Sequence, residues 1–288
     1  MARSESLGTR HEVALPAGRI RYRQCGEGPP VVYVHGLLVN ADLWRAVVPP
    51  VAAAGFRCIA PDWPLGGHEV PVPDADLSPP GVASMVAAFL DRLDLHDVTV
   101  VANDTGGAIV QLLMAEHPER IGRVVLTPSD SLERFFPPAF APLPTLARIP
   151  GSMWVLAQSL RVRALHRLPF TFGWVSKRPI PPDIVDSYLL PSRRDAAVRD
   201  DLRRFLRGVH RRHTLAAARA LPRFARPVLL AWAAEDRLFP LELAHRLAGL
   251  LPHATVVSIP DSYTFVPEDQ PELLARLVVD FARTHAAA

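Results

Sequence analysis

Short apolar runs of strand-forming residues alternate with helix-like segments along most of this 288-residue chain. The runs lie at 19–25, 31–34, 57–60, 98–102, 123–127, 227–232 and 254–259. Such alternation is typical of an α/β fold, in which helices cover the faces of a mostly parallel sheet. In such a sheet the functional site forms at the carboxyl ends of the strands. Residues that directly follow the runs are therefore the first candidates for chemistry.

The alternation stops in the middle of the chain, where the sequence becomes rich in proline, arginine and aromatic residues. The apolar spacing within 152–168 and 197–209 favours helices. A structureless loop of this length would be improbable in a compact domain. We predict one core domain, formed by residues 1–130 and 215–288, with a helical lid inserted at 131–214.

The charge balance and composition narrow the range of partners. Lys and Arg total 32 against 29 for Asp and Glu, and the basic residues are spread out, which does not favour nucleic acid. No apolar run approaches the ~18 residues that cross a bilayer, and the N-terminus has no signal-peptide core. We therefore expect a cytoplasmic protein without a membrane partner. The two cysteines cannot build a metal cluster, and we expect neither metal nor cofactor.

The run at 31–34 continues into His35, Gly36 and Leu37, at the carboxyl end of a predicted strand. Gly36 lets the chain turn close to a substrate. The backbone N–H of Leu37 is predicted to help form an oxyanion hole. A histidine just inside a strand end is more often a hydrogen-bonded structural residue than a base, so we assign His35 a structural role.

The segment 100–108 reads Val-Val-Ala-Asn-Asp-Thr-Gly-Gly-Ala, an apolar strand followed by a tight turn and a helix. It has the shape of the nucleophile elbow, G-x-S-x-G, with Asp104 in the place of the serine. Because a helix amino terminus favours negative charge, Asp104 should be ionised. Such a carboxylate can attack a carbon to form an ester, or it can accept a proton. Capping of the helix is the simpler alternative, but the order of strand, His-Gly turn and elbow favours catalysis.

Together these motifs resemble the aspartate-nucleophile branch of the α/β-hydrolases, which includes epoxide hydrolases and haloalkane dehalogenases. The resemblance spans essentially the whole chain. It implies an α/β-hydrolase fold with a mostly parallel eight-stranded sheet flanked by helices. In that family an acid follows a late strand and orients a catalytic histidine, and Asp236 stands at the matching place after the run at 227–232. The N–H groups of Leu37 and Thr105 are the expected oxyanion donors.

The sequence departs from the family at the catalytic histidine. Thr264 occupies its place, and a threonine hydroxyl cannot act as a general base near neutral pH. Among the remaining histidines, His68 is the best placed by topology, in the loop after the run at 57–60. A substrate contact and a purely structural role both remain open for it. His68 and Thr264 join Leu37 and Thr105 as the predicted substrate-contacting residues.

Two further features bear on the substrate. The dehalogenases of the family usually carry a tryptophan directly after the nucleophile, where this chain has Thr105, so dehalogenation is less favoured. Epoxide hydrolases use lid tyrosines as acids, and here the lid contains only Tyr188, a residue type that is also common in cores. The predicted lid carries aromatic residues that can line an apolar pocket. They are Phe135, Phe136, Phe140, Trp154, Phe170, Phe172 and Trp174.

Three functions remain open. The favoured one is epoxide-hydrolase-like hydrolysis of a small hydrophobic molecule, with Asp104 attacking and Asp236 as its acid partner. The alternative is a cofactor-free isomerase, cyclase or lyase in which Asp104 shuttles a proton. The threonine in place of the histidine at position 264 is the reason to consider it. The third is a ligand-binding homologue with impaired catalysis, since a fold alone does not decide function.

Overall fold

The computed structural model describes residues 4–169 and 171–286. Its strands are β1 (Thr9–Leu15), β2 (Gly18–Cys25), β3 (Pro30–Val34), β4 (Arg57–Pro61), β5 (Val98–Asp104), β6 (Ile121–Ser129), β7 (Val228–Ala233) and β8 (Ala254–Ile259). They form one sheet in the order β1-β2-β4-β3-β5-β6-β7-β8. Of these eight strands only β2 runs antiparallel to its neighbours. The predicted fold class, an α/β-hydrolase fold with a mostly parallel eight-stranded sheet, is confirmed.

Helices cover the sheet. The helices in the described residues are α1 (Val48–Ala53), α2 (Pro79–Arg92), α3 (Thr105–Glu116), α4 (Leu143–Leu146), α5 (Ser152–Ser159), α6 (Pro182–Arg194), α7 (Ala196–Gly208), α8 (Arg211–Ala220), α9 (Leu241–Ala248), α10 (Val266–Asp269) and α11 (Pro271–Thr284). Helix α3 packs on β5 and β6, whereas α9 packs on β7 and β8. No helix in this described part of the chain is long and apolar enough to cross a membrane.

Burial explains why the central strands are continuous apolar runs. Every residue of β6 and β7 is buried, as are all but one residue of β3 and of β5. Parallel strands with helices on both faces have no solvent side, so they lack the alternation of polar and apolar residues. The edge strand β1 is partly exposed and alternates more clearly.

The segment between β6 and β7 contains α4 to α8 and, within its described residues, no strand beyond an isolated bridge between Ser131 and Arg134. The helices expected at 152–168 and 197–209 correspond to α5 with a 3-10 turn at Arg163–Arg167, and to α7. Helix α8 packs against α3 of the core. The predicted lid boundary at residue 214 therefore falls inside a helix.

A buried carboxylate attaches α7 to the loop that follows β4. Asp201 Oδ2 accepts hydrogen bonds from Val72 N at 2.8 Å and from His68 Nε2 at 3.0 Å. Arg204 donates to the other oxygen of Asp201 at 2.6 Å. Since His68 Nδ1 accepts a hydrogen bond from Gly66 N at 3.3 Å, the ring proton belongs on Nε2. These contacts join segments that are far apart in the sequence.

We expect Asp201→Ala to lower the free energy of unfolding by about 3–5 kcal/mol, because it removes the acceptor of buried His68 Nε2 and the buried carboxylate that pairs with Arg204. The matched control is Asp200→Ala on the same helix. Asp200 is half exposed and pairs with Arg203, so its loss should cost less than about 1 kcal/mol. Denaturant unfolding of both variants measures the difference. Equal losses would contradict a special role for Asp201.

Candidate active site

Asp104 stands at the sharp turn from β5 into α3. Its φ of 55° and ψ of −132° put a non-glycine residue in a left-handed conformation. Such a conformation costs about 1–3 kcal/mol and persists only where the surrounding structure enforces it. A strained strand-to-helix turn of this kind is the nucleophile elbow, which holds its side chain above the edge of the sheet. The structure therefore places Asp104 at an elbow, as predicted.

Two glycines allow the backbone to approach this turn closely. A Cβ atom on Gly36 would lie 2.1 Å from Asp104 Oδ2, and a Cβ atom on Gly106 would lie 2.3 Å from the carbonyl oxygen of Val34. Both distances are impossible contacts, so only glycine fits at either position. The loop after β3 and the first turn of α3 can thus enclose the carboxylate.

The Asp104 carboxylate accepts hydrogen bonds from both predicted oxyanion donors. Leu37 N lies 3.2 Å from Oδ2, and Thr105 N also donates to the carboxylate. The side chain opens on a cavity of about 150 Å³ between the core and the insertion. Leu37 and Thr105, which were predicted to contact substrate, line this cavity.

The wall of the cavity is mostly apolar. Besides Asp104 and its two amide donors, the lining residues are Leu38, Phe136, Pro137, Phe140, Leu143, Leu156, Ser159, Leu160, Leu165, Thr171, Phe172, Val175, Leu189 and Phe265. Three of the predicted aromatic residues line the cavity, namely Phe136, Phe140 and Phe172. Trp154 is instead exposed, and Phe170 lies outside the described residues.

The predicted contact between His68 and substrate is not supported, because both ring nitrogens are engaged by Asp201 and Gly66 away from the cavity. His35 has the structural role assigned to it, with Nδ1 2.9 Å from Gly36 O and Nε2 accepting from Trp63 N at 2.8 Å. None of the eleven histidines is among the described residues that line the cavity. Asp104 has no histidine partner there.

Tyr188 does not face the cavity either. Its ring is fully buried, and its hydroxyl donates to Glu268 Oε1 at 2.8 Å. It is a core residue that helps to join α6 to the last part of the chain. The cavity lining in the described residues includes no tyrosine and no tryptophan.

Asp236 and Thr264 are not among the residues that line the cavity, so the lining does not support the predicted contact between Thr264 and substrate. Asp236 Oδ1 accepts hydrogen bonds from Leu238 N and Phe239 N, each at 2.7 Å. Thr264 is completely buried and approaches the same carboxyl. Nevertheless, neither Asp236 Oδ2 nor Thr264 Oγ1 has a hydrogen-bond partner of good geometry.

Asn103 fixes the position of the Thr264 loop against the elbow. Its side-chain amide donates to Thr264 O at 2.7 Å and to Thr127 Oγ1 at 2.7 Å. Asn103, the residue before the elbow, thus connects the ends of β5 and β6 and the loop after β8 through hydrogen bonds. Since these segments are remote in sequence, no sequence pattern indicated this contact.

A third carboxyl group, Asp130, was missed by the sequence analysis. It directly follows β6 and is completely buried, and its Oδ2 accepts a hydrogen bond from Thr105 Oγ1 at 2.9 Å. Its position after a central strand is the same signal that pointed to Asp104, so the rule that sites form at strand ends could have found it. Within residues 4–169 and 171–286, however, no three or more His, Cys, Asp and Glu side chains form a group that could hold a metal ion.

The three carboxyl groups have raised pKa values. Burial raises the pKa of Asp104 to about 6, although the Thr105 and Leu37 N–H groups lower it. Burial, followed by the charge of Asp104, holds the pKa of Asp130 well above its usual range. Burial also raises the pKa of Asp236 to about 7, against the Phe239 and Leu238 N–H groups and the nearby Thr264, which lower it. Protons are therefore held in this site near neutral pH.

Stability should fall as the pH rises through these values, because the fold favours the protonated acids. For Asp236, whose folded pKa of about 7 lies above the ordinary 3.8, the loss between about pH 5 and about pH 8 is roughly 2–3 kcal/mol. Asp236→Asn cannot ionise, so its unfolding free energy should fall correspondingly less over this range. Denaturant titrations at both pH values test this. An identical pH dependence in the two proteins would contradict the raised pKa.

Comparison with known proteins agrees with this geometry. The model of the family described as alpha/beta hydrolase fold matches residues 29–168. An uncharacterized hydrolase of Bacillus subtilis, YugF, is 27% identical over 255 residues, which cover 88% of this chain and 89% of that protein. Haloalkane dehalogenase 2 of Mycobacterium bovis is 26% identical over 275 residues, which cover 91% of each protein.

Solved structures show the same fold over the whole chain. The haloalkane dehalogenase DatA from Agrobacterium tumefaciens superposes with a TM-score of 0.82 at 22% identity, over 98% of this chain and all of that one. The epoxide hydrolase CorEH superposes with a TM-score of 0.80 at 18% identity, over 96% of this chain and 98% of that one. The chain therefore has the α/β-hydrolase fold, and its sequence is similar to those of hydrolases, a haloalkane dehalogenase among them, over about nine tenths of its length.

Proposed function

We propose that this protein hydrolyses small apolar electrophiles, with epoxides as the first class to test, through an ester formed on Asp104. The observation that carries the proposal is the Asp104 carboxylate itself. It stands at the elbow, accepts hydrogen bonds from Leu37 N and Thr105 N, and opens on an apolar cavity.

The two amide donors suit a nucleophilic carboxylate. An ester on Asp104 keeps one carboxyl oxygen as a carbonyl, and negative charge develops on that oxygen when water attacks the ester carbon. Preorganised N–H groups aimed at such an oxygen are among the largest single contributions to catalysis. Leu37 N already donates to Oδ2, so this oxygen is positioned to become the carbonyl oxygen of the ester.

The size of the cavity limits the substrate. An apolar cavity of about 150 Å³ is similar in volume to an engineered protein cavity that binds benzene. The substrate is therefore a molecule of a few carbons or a single ring.

The substrate must also react with little help from an acid. The hydroxyl groups in the described lining already donate to other acceptors. Ser159 donates to Leu156 O, Thr171 to Leu165 O and Leu168 O, and Thr105 to Asp130. A strained ring or a good leaving group meets this requirement, because neither depends on prior protonation.

Intact-mass measurement tests the ester. The protein is incubated with propylene oxide, isobutylene oxide, bromoethane and methyl acetate, and peptides that contain Asp104 are sequenced. We expect a covalent adduct on Asp104 with at least one of these electrophiles and none in Asp104→Asn. Asp200→Asn, at a half-exposed carboxyl that does not line the cavity, is the matched control. Turnover in ¹⁸O-labelled water should place the heavy oxygen in Asp104 first, because water attacks the ester carbon of the enzyme. Turnover without ¹⁸O in Asp104 would contradict the proposal.

A second candidate is cofactor-free proton transfer, in which Asp104 acts as a base in an isomerase, cyclase or lyase. Two observations favour it: no histidine lines the described cavity, and the pKa of Asp104 is about 6, close to the ideal for a base near neutral pH. Here the product would have the mass of the substrate, or of its fragments combined. In D₂O we expect deuterium at the reacting carbon, lost in Asp104→Asn. Binding of a ligand with neither ester nor exchange would instead indicate a homologue without catalysis.

A further inference from the structure

Two buried polar atoms near Asp104 approach each other but make no hydrogen bond of good geometry within the described residues. They are Asp236 Oδ2 and Thr264 Oγ1, which belong to the loops that follow β7 and β8. Thr264 is completely buried, and Asp104 lies close enough for its charge to act on the Asp236 carboxyl. Buried polar groups nearly always bind protein or an ordered water, so two such atoms that approach each other define a place for water.

The geometry points to Asp236 as the base that activates the hydrolytic water, which it holds together with the hydroxyl of Thr264. This inference rests on the proposed ester on Asp104 and names the residue that removes it. The carboxyl is well positioned for the task because its other oxygen is fixed by Leu238 N and Phe239 N. Oδ2 remains the free acceptor.

The step balances without any further reactant. The water gives one proton to Asp236 Oδ2, and its oxygen forms a bond with the carboxyl carbon of Asp104. The resulting oxyanion is stabilised by Leu37 N and Thr105 N. The bond between that carbon and the oxygen that carries the substrate carbon then breaks, and the proton on Asp236 passes to the departing alkoxide, which leaves as an alcohol. Asp104 is left as a carboxylic acid, and it becomes a carboxylate again when this second water proton passes to solvent.

The other carboxyl near Asp104 is less suited to this role. Burial and the charge of Asp104 keep the pKa of Asp130 well above its usual range, so an ionised Asp104 favours the protonated form of Asp130. A protonated acid cannot take a proton. The pKa of Asp236, about 7, is by contrast close to the value at which general bases are most effective near neutral pH.

Asp130 also supplies a matched control. Asparagine has nearly the shape of a neutral aspartic acid, so Asp130→Asn should keep the site close to its native state. Asp236→Asn makes the same change at the proposed base. Thr264→Val removes only the hydroxyl that would hold the water and keeps the side-chain volume. Circular dichroism and thermal unfolding check that each variant is folded.

The experiment separates formation of the ester from its decay. Each protein is mixed with bromoethane or propylene oxide, quenched at intervals and analysed by intact mass. We expect ester formation to be similar in all four proteins. Decay should be about a hundred-fold slower in Asp236→Asn, which is the low end of what a general base contributes. It should be several-fold slower in Thr264→Val and little changed in Asp130→Asn.

The outcomes are distinct. Equal decay in the wild type and Asp236→Asn overturns the role of Asp236 but leaves the ester on Asp104 standing. If Asp236→Asn does not fold, equal decay of the ester in the wild type and in Thr264→Val overturns the role of Asp236. Slower decay in Asp130→Asn than in Asp236→Asn assigns the base to Asp130 and therefore also overturns the role of Asp236. Absence of an ester in every protein, with both electrophiles, overturns the proposed function and this inference with it.

Discussion

The structure of the site depends on one buried carboxylate at a strained turn. Asp104 takes a left-handed φ at the end of β5, and α3 begins at the next residue. Burial of a carboxylate opposes its ionisation, and the hydrogen bonds from Leu37 N and Thr105 N offset only part of this effect, because its pKa remains near 6. Gly36 and Gly106 are required because any side chain there would displace the carboxylate or the helix.

The electrostatics of the site follow from the absence of a cationic partner near this carboxylate among the described residues. Thr264 stands at the position where the resemblance to the aspartate-nucleophile hydrolases predicts a histidine. Two more buried carboxyl groups, Asp130 and Asp236, lie close enough to feel the charge of Asp104. Only backbone N–H and side-chain hydroxyl groups stabilise their ionised forms. Carboxyl groups in such an arrangement cannot all ionise together, so the site retains protons near neutral pH. Both proposed reactions use carboxyl groups whose pKa lies near neutral pH, either to take a proton from water or to move a hydrogen within the substrate.

The insertion between β6 and β7 decides which molecules reach this chemistry. Its aromatic residues Phe136, Phe140 and Phe172 reduce the space above Asp104 to about 150 Å³. Its own hydroxyl groups are occupied by backbone carbonyls. Within its described residues, the insertion thus supplies apolar side chains to the wall of the cavity and no acid or base group. The buried contacts of Asp201 with His68 and Val72 hold one of its helices against the core.

The sequence alone determined the fold class, the elbow at Asp104, the amide donors Leu37 and Thr105, and the threonine at position 264. These features depend on local patterns: an apolar run, a glycine-rich turn and the residue that follows a strand. Only the tertiary structure decided that His68 forms a hydrogen bond with Asp201, that Tyr188 donates to Glu268, and that Asp130 lies beside Asp104. The physical reason is that hydrogen bonds and pKa values of buried groups are set by neighbours from distant parts of the chain, whose positions no local pattern contains.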